Sequence, residues 1–457
     1  MQPPIGILRL LAAFTLLTPL AGCWVRTELA APVDGGFARV RTQALVGTSD
    51  WPQTWEADQG KPKGVIVPLA GPLSIWQGVH LGEHHFLHAG EVERQDAALL
   101  ASGLDEPKGF QFRAEGPGSF VFIRDPRFEG PDAPPPPVPG EAGTAELFKV
   151  VMGWPSEPWN AVDRVRLERC WLALYDPMGR PAEQTKGLVL VMPGMFGTPE
   201  PMINSLIGTL RRRGWSVLRM LSHPSRFTER LEVEIVAGRE DELARDIATE
   251  LGQNAAGVAY AAQLALDHAQ SLRPGLASKP TALLGMSGGA IVLPTVHALA
   301  PDRYDAAVLI AGGVNFLEIN LRSNYADWIE ALVIDFDDTA PGVQKPRGEQ
   351  VLEMSRLYLD HAPLDGAHLA PLLAGKPTLM LHGSADRAVP ADLGQRLWEL
   401  AGQPERWTLP VGHELIFAAL PFQAARIERW LTDSLITLPT DPADPGVVRA
   451  PSAANDP

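Results

Sequence analysis

The stretch around Ser287 has the residue types of a serine nucleophile at a sharp turn, in the pattern G-x-S-x-G. The apolar run at residues 281–285 predicts one buried strand before the serine, and the small residues at 290–300 predict a helix after it. Such a turn leaves room for little but glycine two positions before and two positions after the serine. Gly285 and Gly289 occupy those positions. Ser287 is therefore the candidate nucleophile.

A serine hydroxyl is a weak nucleophile at neutral pH, so a base must accept its proton. His413 follows a short predicted strand and Gly412, and it opens the last predicted helix. Asp386 lies in a turn after the predicted strand at 378–381, where its carboxylate would orient the imidazole. Ser287, Asp386 and His413 thus occur in the order nucleophile, acid, histidine, each after a strand. We expect the three side chains to meet at the carboxyl edge of a sheet.

The elements that would position these side chains are short apolar strands that alternate with helical stretches. The longest helical stretch, residues 240–272, precedes the nucleophile strand. The alternation lapses over residues 314–376, which we interpret as a cap insertion over the carboxyl edge of the sheet. Strands buried on both faces and separated by helices predict a mainly parallel, doubly wound sheet of the α/β class. The other predicted strands cover residues 165–175, 187–192, 216–221 and 306–311.

Three motifs together resemble the α/β-hydrolase superfamily, and the resemblance covers most of residues 145–436. They are the G-x-S-x-G turn at Ser287, the H-G-x-x-D-x-x-V-P turn that contains Asp386, and the pair Gly412-His413. The resemblance implies an α/β-hydrolase fold with a cap insertion, and a catalytic triad of Ser287, Asp386 and His413. The chemistry that it implies requires no metal and no organic cofactor.

The resemblance also implies an oxyanion hole made of two backbone N–H groups. Gly288, directly after the candidate nucleophile, would supply one donor, and Met195, in the loop after the predicted strand at 187–192, would supply the other. Many members of the superfamily have His-Gly before the second donor, whereas this chain has Pro193 and Gly194. Because the donor is a backbone N–H, the change is compatible with catalysis.

Several other histidines compete with His413 for a functional role. His382 lies inside the acid turn, and we interpret it as structural. His361, after Asp360 in the insertion, matches no position of the superfamily pattern. His223 lies at the end of the predicted strand at 216–221, at a rim that could line the substrate pocket.

A second group of histidines recurs every four residues in the N-terminal part of the chain. His80, His84 and His88 would share one face of a helix, where they could bind a metal or form a packed or solvated cluster. Gly82 and Gly90 weaken the helix, so the second interpretation is favoured. We predict no metal site here.

Residues 1–22 predict a bacterial lipoprotein signal peptide, in which a short apolar stretch precedes Leu-Ala-Gly-Cys. That tetrapeptide resembles a lipobox, so Cys23 is the predicted lipidation site and acyl chains would anchor the protein to a membrane. A plain secretory signal is the alternative. In Gram-negative lipoproteins, an Asp directly after the lipidated cysteine is the signal for retention in the inner membrane. This chain has Trp24 at that position, so it resembles lipoproteins that are sorted to the outer membrane. Only Cys170 would then remain, so no intrachain disulfide is expected.

The composition divides the rest of the chain into four predicted parts. These are an accessory region of unknown role at 23–130, a proline-rich linker at 131–143, an α/β-hydrolase domain at 144–436 and a disordered tail at 437–457. The net charge of -15 argues against a nucleic-acid partner.

Three functions agree with these features. We expect a serine hydrolase that cleaves a small-molecule or lipid ester through an acyl-enzyme intermediate at the cell envelope. One alternative is a peptidase similar to the proline-type aminopeptidases of the superfamily, in which Asp335, Asp337 or Asp338 binds the substrate amine. These acids would otherwise form a solvated loop edge. The other alternative is a noncatalytic binding module, against which an intact triad argues. The sequence indicates no oligomeric state.

Overall fold

The computed structural model of the protein describes fourteen separate stretches of the chain. Cys23, the histidines at 80, 84 and 88, the proline-rich tract and residues 437–457 lie outside them. The described residues are 25–29, 40–41, 63–68, 120–124, 146–153, 167–195, 198, 200–221, 223–224, 227, 231–235, 238–325, 332–336 and 348–436.

These residues contain fourteen strands and nine α-helices. The strands are β1 Val25–Leu29, β2 Val40–Arg41, β3 Lys63–Pro68, β4 Phe120–Arg124, β5 Glu146–Gly153, β6 Leu167–Tyr175, β7 Leu188–Met192, β8 Ser216–Met220, β9 Leu231–Ile235, β10 Thr281–Met286, β11 Ala306–Ile310, β12 Leu332–Phe336, β13 Thr378–Gly383 and β14 Glu405–Leu409. The helices are α1 Glu200–Arg212, α2 Glu240–Leu272, α3 Gly288–Leu299, α4 Phe316–Arg322, α5 Gly348–His361, α6 Gly366–Leu369, α7 Ala391–Leu400, α8 His413–Ala418 and α9 Leu420–Leu435.

Within the described part of the chain, ten strands form one sheet in the order β14-β13-β11-β10-β7-β8-β6-β5-β3-β2. The first six of these run parallel, and the last four pair antiparallel. The nucleophile strand β10 lies between β7 and β11, near the middle of the parallel part. The prediction of an α/β-hydrolase fold with a mainly parallel, doubly wound sheet is confirmed.

Both faces of the five parallel strands β7, β8, β10, β11 and β13 are buried, because successive side chains point into two different cores, whereas the edge strand β14 is partly exposed. In β7, Leu188, Leu190 and Met192 belong to one core, and Val189 and Val191 belong to the other. The first core lies under α2, α3, α5 and α7, and the second lies under α1, α8 and α9. Helices therefore cover both faces, and only the two ends of the strands are open for loops.

The insertion at residues 314–376 takes part in a strand pairing that the sequence pattern did not predict. β12, inside the insertion at 314–376, pairs in parallel with β9, which follows β8 in the chain. Strands and helices therefore still alternate over part of residues 314–376, since α4, β12 and α5 all lie there. The predicted last helix is also divided, because Pro421 lies in the first turn of α9 and starts a new helix after Ala419.

Two strands from the predicted accessory region belong to the main sheet. β3 pairs along its whole length with β5, and β2 pairs with β3. β2 and β3, which lie within residues 23–130, thus extend the ten-stranded sheet. β4 pairs antiparallel with β1 in a separate two-stranded sheet.

Candidate active site

Ser287 sits at the apex of the turn from β10 to α3 in a backbone conformation that L-residues rarely adopt, with φ 49° and ψ -115°. A Cβ atom at Gly285 would lie 2.4 Å from the carbonyl oxygen of Gly289. A Cβ atom at Gly289 would lie 2.6 Å from the carbonyl oxygen of Met192. Glycine is therefore required at both positions, as the pattern predicts.

Ser287, His413 and Asp386 form one hydrogen-bonded line, although 126 residues separate the serine from the histidine. Nε2 of His413 lies 2.9 Å from Oγ of Ser287, and Nδ1 lies 2.7 Å from Oδ2 of Asp386. A carboxylate accepts, so Nδ1 carries the proton and Nε2 is free to accept from the serine hydroxyl. The imidazole and the carboxylate are both buried, which strengthens their interaction.

The acid turn fixes which oxygen of Asp386 faces the imidazole. Oδ1 accepts hydrogen bonds from the backbone N–H groups of Ala388 at 3.0 Å and Val389 at 2.9 Å. Oδ2 is left for His413. The same turn is tied to the chain before the histidine, since the N–H of Ala385 donates to the carbonyl of Val411 at 3.2 Å. Backbone contacts between the two loops therefore set the geometry of the acid and the base together.

The two predicted oxyanion donors lie side by side. A Cβ atom at Gly288 would be 2.8 Å from the backbone nitrogen of Met195, so the turn and the loop are in close contact. Within the described residues, neither of these two N–H groups donates to a backbone carbonyl. Pro193 and Gly194, the departure from the superfamily pattern, are held by other bonds: the Pro193 carbonyl accepts from Gly289, and the Gly194 N–H donates to Thr198 Oγ1.

Two aromatic rings pack edge-on against His413. Tyr325 lies 5.8 Å and Phe417 lies 5.1 Å from the imidazole, measured between ring centroids. The hydroxyl of Tyr325 donates to Oε1 of Glu414, the residue after the histidine. Burial and the nearby Glu414 carboxylate raise the pKa of Tyr325, so the phenol stays protonated as a donor. Sequence reasoning missed Tyr325 because no motif or period marks its position in the insertion.

The competing histidines are held elsewhere. His382 is buried in β13, where its ring leaves no room for a side chain on Gly394. His361 contacts Asp241 of α2 at 2.8 Å, and Asp360 pairs with Arg356. Neither histidine belongs to the line through Ser287. His223, after β8, is 2% exposed, and its Nε2 lies 2.9 Å from the carbonyl oxygen of Pro193.

The remaining candidate groups contribute nothing further to the geometry around Ser287. In the described stretches, no group of three or more histidine, cysteine, aspartate or glutamate side chains is arranged to hold a metal ion. Asp335 lies in β12, in register with Glu234 of β9, while Asp337 and Asp338 lie outside the described residues. Cys170 is buried in β6, and burial raises the pKa of its thiol.

No protein-family model matches the chain, and no curated protein matches it. Among solved structures, the Pyrococcus furiosus esterase Pf2001 is 12% identical over 58% of this chain and 87% of its own, with a TM-score of 0.36. Est1E from Butyrivibrio proteoclasticus is 14% identical over 58% of this chain and 95% of its own, with a TM-score of 0.37. The Pyrococcus horikoshii acylaminoacyl peptidase is 13% identical over 59% of this chain and 40% of its own, with a TM-score of 0.38.

Proposed function

We propose that the protein is a serine hydrolase that cleaves carboxylic esters through an acyl-enzyme intermediate. The observation that carries the proposal is the hydrogen-bonded line from Ser287 through His413 to Asp386. Its serine end adjoins the amide of Gly288, which lies beside the amide of Met195. A nucleophile, its base, an orienting acid and two donors for a developing oxyanion are the parts that acyl transfer needs.

The first half-reaction forms the acyl-enzyme. Oγ of Ser287 attacks the ester carbonyl carbon while Nε2 of His413 accepts the hydroxyl proton. Asp386 stabilises the imidazolium that results, and the carbonyl oxygen becomes an oxyanion that accepts from the amides of Gly288 and Met195. When the tetrahedral intermediate collapses, the C–O bond to the alcohol breaks, and His413 returns its proton to the departing oxygen.

The second half-reaction releases the acid. Water attacks the acyl carbon and loses a proton to His413, the same two amides stabilise the second oxyanion, and the bond to Ser287 breaks. His413 then returns the proton to the serine oxygen, which regenerates the free enzyme.

A fluorophosphonate probe and an ester assay test the proposal on the full chain. We expect stoichiometric labelling and turnover of 4-nitrophenyl acetate, both abolished in Ser287→Ala, with kcat lower by about 10⁶-fold. Ser278→Ala is a matched control, because this exposed serine precedes β10 at the opposite end of the strand. Labelling that persists in Ser287→Ala, or a wild-type chain that is neither labelled nor active, would show that the proposal is wrong.

The substrate class is tested by comparing neutral esters with aminoacyl amides. No contact of the described residues favours the aminopeptidase alternative over an esterase. We expect higher kcat/KM on the esters. An enzyme that turns over aminoacyl amides alone would overturn the ester assignment and leave the role of Ser287 intact.

We further propose that the protein acts at the bacterial cell envelope, anchored through a lipid on Cys23. The support is the apolar stretch that ends in Leu-Ala-Gly-Cys, the residue pattern of a lipoprotein signal peptide. In cells fed an alkyne-bearing palmitate, we expect the full chain to be labelled and recovered with membranes. Cys23→Ser should lose both properties, and a variant that stays lipidated would disprove this assignment.

A further inference from the structure

The carbonyl oxygen of Pro193 accepts two hydrogen bonds, and one of them comes from a histidine outside the proposed triad. Gly289 donates from its backbone N–H at 2.9 Å, and Nε2 of His223 lies at 2.9 Å. A carbonyl oxygen can only accept, so Nε2 must carry the proton in this contact. The contact therefore selects the Nε2–H tautomer of His223.

These bonds hold the peptide unit between Pro193 and Gly194 at both ends. Its oxygen is bound as described, and its N–H, which belongs to Gly194, donates to Oγ1 of Thr198 at 3.2 Å. Rotation of this peptide plane would break all three bonds at once. The next N–H along the chain is that of Met195, so the direction of the proposed oxyanion donor follows from the peptide that His223 helps to hold.

The imidazole of His223 is itself rigidly placed. Its ring packs against Phe227 with a centroid distance of 4.5 Å, and Phe227 stacks on Phe316 of α4 at 5.7 Å. Nδ1 is buried and makes no hydrogen bond with the described part of the chain. Burial lowers the pKa of His223 to about 4, so the ring is neutral where His413 would act as a base. A buried neutral donor whose other ring nitrogen has no partner among the described residues fits a structural bond to the loop better than proton transfer.

We propose that His223 is a positioning residue for the oxyanion hole. Its Nε2–H and the N–H of Gly289 hold the Pro193 carbonyl turned away from the reaction centre, which keeps the N–H of Met195 directed at the substrate oxygen. This inference rests on the proposed acyl-transfer function, because it assigns a role only to the geometry of an oxyanion donor. His223 contacts neither the substrate nor the reacting atoms.

Three substitutions at one position test the proposal in the full chain. His223→Leu removes the donor, His223→Gln keeps an amide N–H of similar reach, and His223→Asn has an amide too short to reach Pro193. We expect kcat on 4-nitrophenyl acetate to fall about 10- to 100-fold in the Leu and Asn variants, with KM within about twofold of wild type. This loss is smaller than the 10²- to 10³-fold for removing a donor outright. The Gln variant should recover most of the rate.

A second readout separates positioning from folding. A trifluoromethyl ketone binds as a hemiketal whose oxyanion occupies the same hole, so its affinity should fall in proportion to kcat/KM across the three variants. The pH dependence of kcat/KM should stay unchanged in His223→Gln. His268→Leu is the matched control, because it removes another buried imidazole, one that packs on Phe148 of β5.

The outcomes distinguish this inference from the proposed function. The inference is wrong if His223→Leu or His223→Asn folds and is as active as wild type. It is also wrong if His268→Leu loses as much activity as His223→Leu. If the Leu variant does not fold, the comparison of Gln with Asn decides, and equal rates in these two would also overturn the inference. A wild-type chain without Ser287-dependent turnover would overturn both proposals.

Discussion

The candidate site has two halves that are held in different ways. The side-chain half, Ser287, His413 and Asp386, brings together three strand ends and is joined by hydrogen bonds between the functional groups themselves. The backbone half consists of two amides, those of Gly288 and Met195, which have no bond to each other. They are adjacent because one loop packs against one turn, with no Cβ atom between them.

This difference indicates how each half should fail. A substitution in the side-chain half removes a group that takes part in proton transfer, so its cost is chemical. A substitution around the backbone half leaves every donor present and changes only the direction of an N–H. We therefore expect the first kind to lower the rate by altering protonation, and the second kind to lower transition-state affinity with little effect on ground-state binding.

The largest effect that separates the halves is expected for Asp386→Asn. Because Oδ1 accepts two backbone N–H groups, the amide nitrogen of Asn would face Nδ1 of His413 and donate to it. The imidazole would then carry its proton on Nε2 and could not accept from Ser287. We expect kcat to fall by about 10⁴-fold with an unchanged melting temperature.

The control for this substitution is Asp392→Asn. Asp392 pairs with Arg322 on the surface and touches no member of the proposed triad. It should leave the ester hydrolysis rate within about twofold of wild type. A loss of less than about tenfold in Asp386→Asn would contradict the role of Asp386.

The next effect concerns the backbone half and is expected for Gly288→Ala. The added Cβ would lie 2.8 Å from the backbone nitrogen of Met195, so the loop must move away. We expect kcat to fall by about 10²- to 10³-fold, as for the loss of one oxyanion donor, while the pH dependence of kcat/KM stays that of wild type. Gly275→Ala is the control, since a Cβ there meets no atom within 4 Å. A shifted pH profile in Gly288→Ala would mean that the two halves are not separable.

The sequence predicted most of the elements and the convergence of the side-chain half. The helix expected at residues 240–272 has those bounds, because alanine and leucine dominate it and Gly238 and Pro274 lie just outside, although Gly252 and Gly257 lie within it. Ser287 and Asp386 follow buried strands and His413 follows the edge strand β14, and parallel strands bring their carboxyl ends to one edge. Local patterns sufficed here because each side chain is placed by its own strand and turn.

The sequence could not predict the contacts between segments that are distant along the chain and share no motif. β9 and β12 pair although about a hundred residues separate them, and neither carries a signal for the other. Tyr325 packs on His413 from an insertion that has no regular period. His223 was recognised as a candidate, but its bond to Pro193 depends on how two loops meet at the end of the sheet. Such contacts are decided by tertiary packing.

A pH experiment sharpens the comparison, because His223 supports the backbone half as a neutral ring. Its pKa is lowered from 6.5 to about 4 by burial, so the unfolded chain binds more protons than the folded chain between these values. The free energy of unfolding should therefore decrease as the pH falls from about 6.5 towards 4, and this contribution is fully present above that window. From pH 8 to pH 5, we expect the free energy of unfolding of the wild type to decrease by about 2 kcal/mol more than that of His223→Gln. Denaturant unfolding at both pH values measures this, and equal losses would contradict it.

The smallest effect should come from Tyr325, whose ring packs edge-on against the imidazole of His413. Tyr325→Phe keeps the ring against the imidazole and loses only the bond to Glu414, so we expect kcat to change by no more than about threefold. Tyr325→Ala also removes the ring, which leaves Phe417 as the aromatic contact of the imidazole, and should cost about tenfold. The affinity for a trifluoromethyl ketone should follow kcat/KM in both variants if the ring acts by holding His413. Equal losses in the Phe and Ala variants would instead assign the effect to the hydroxyl and its bond to Glu414.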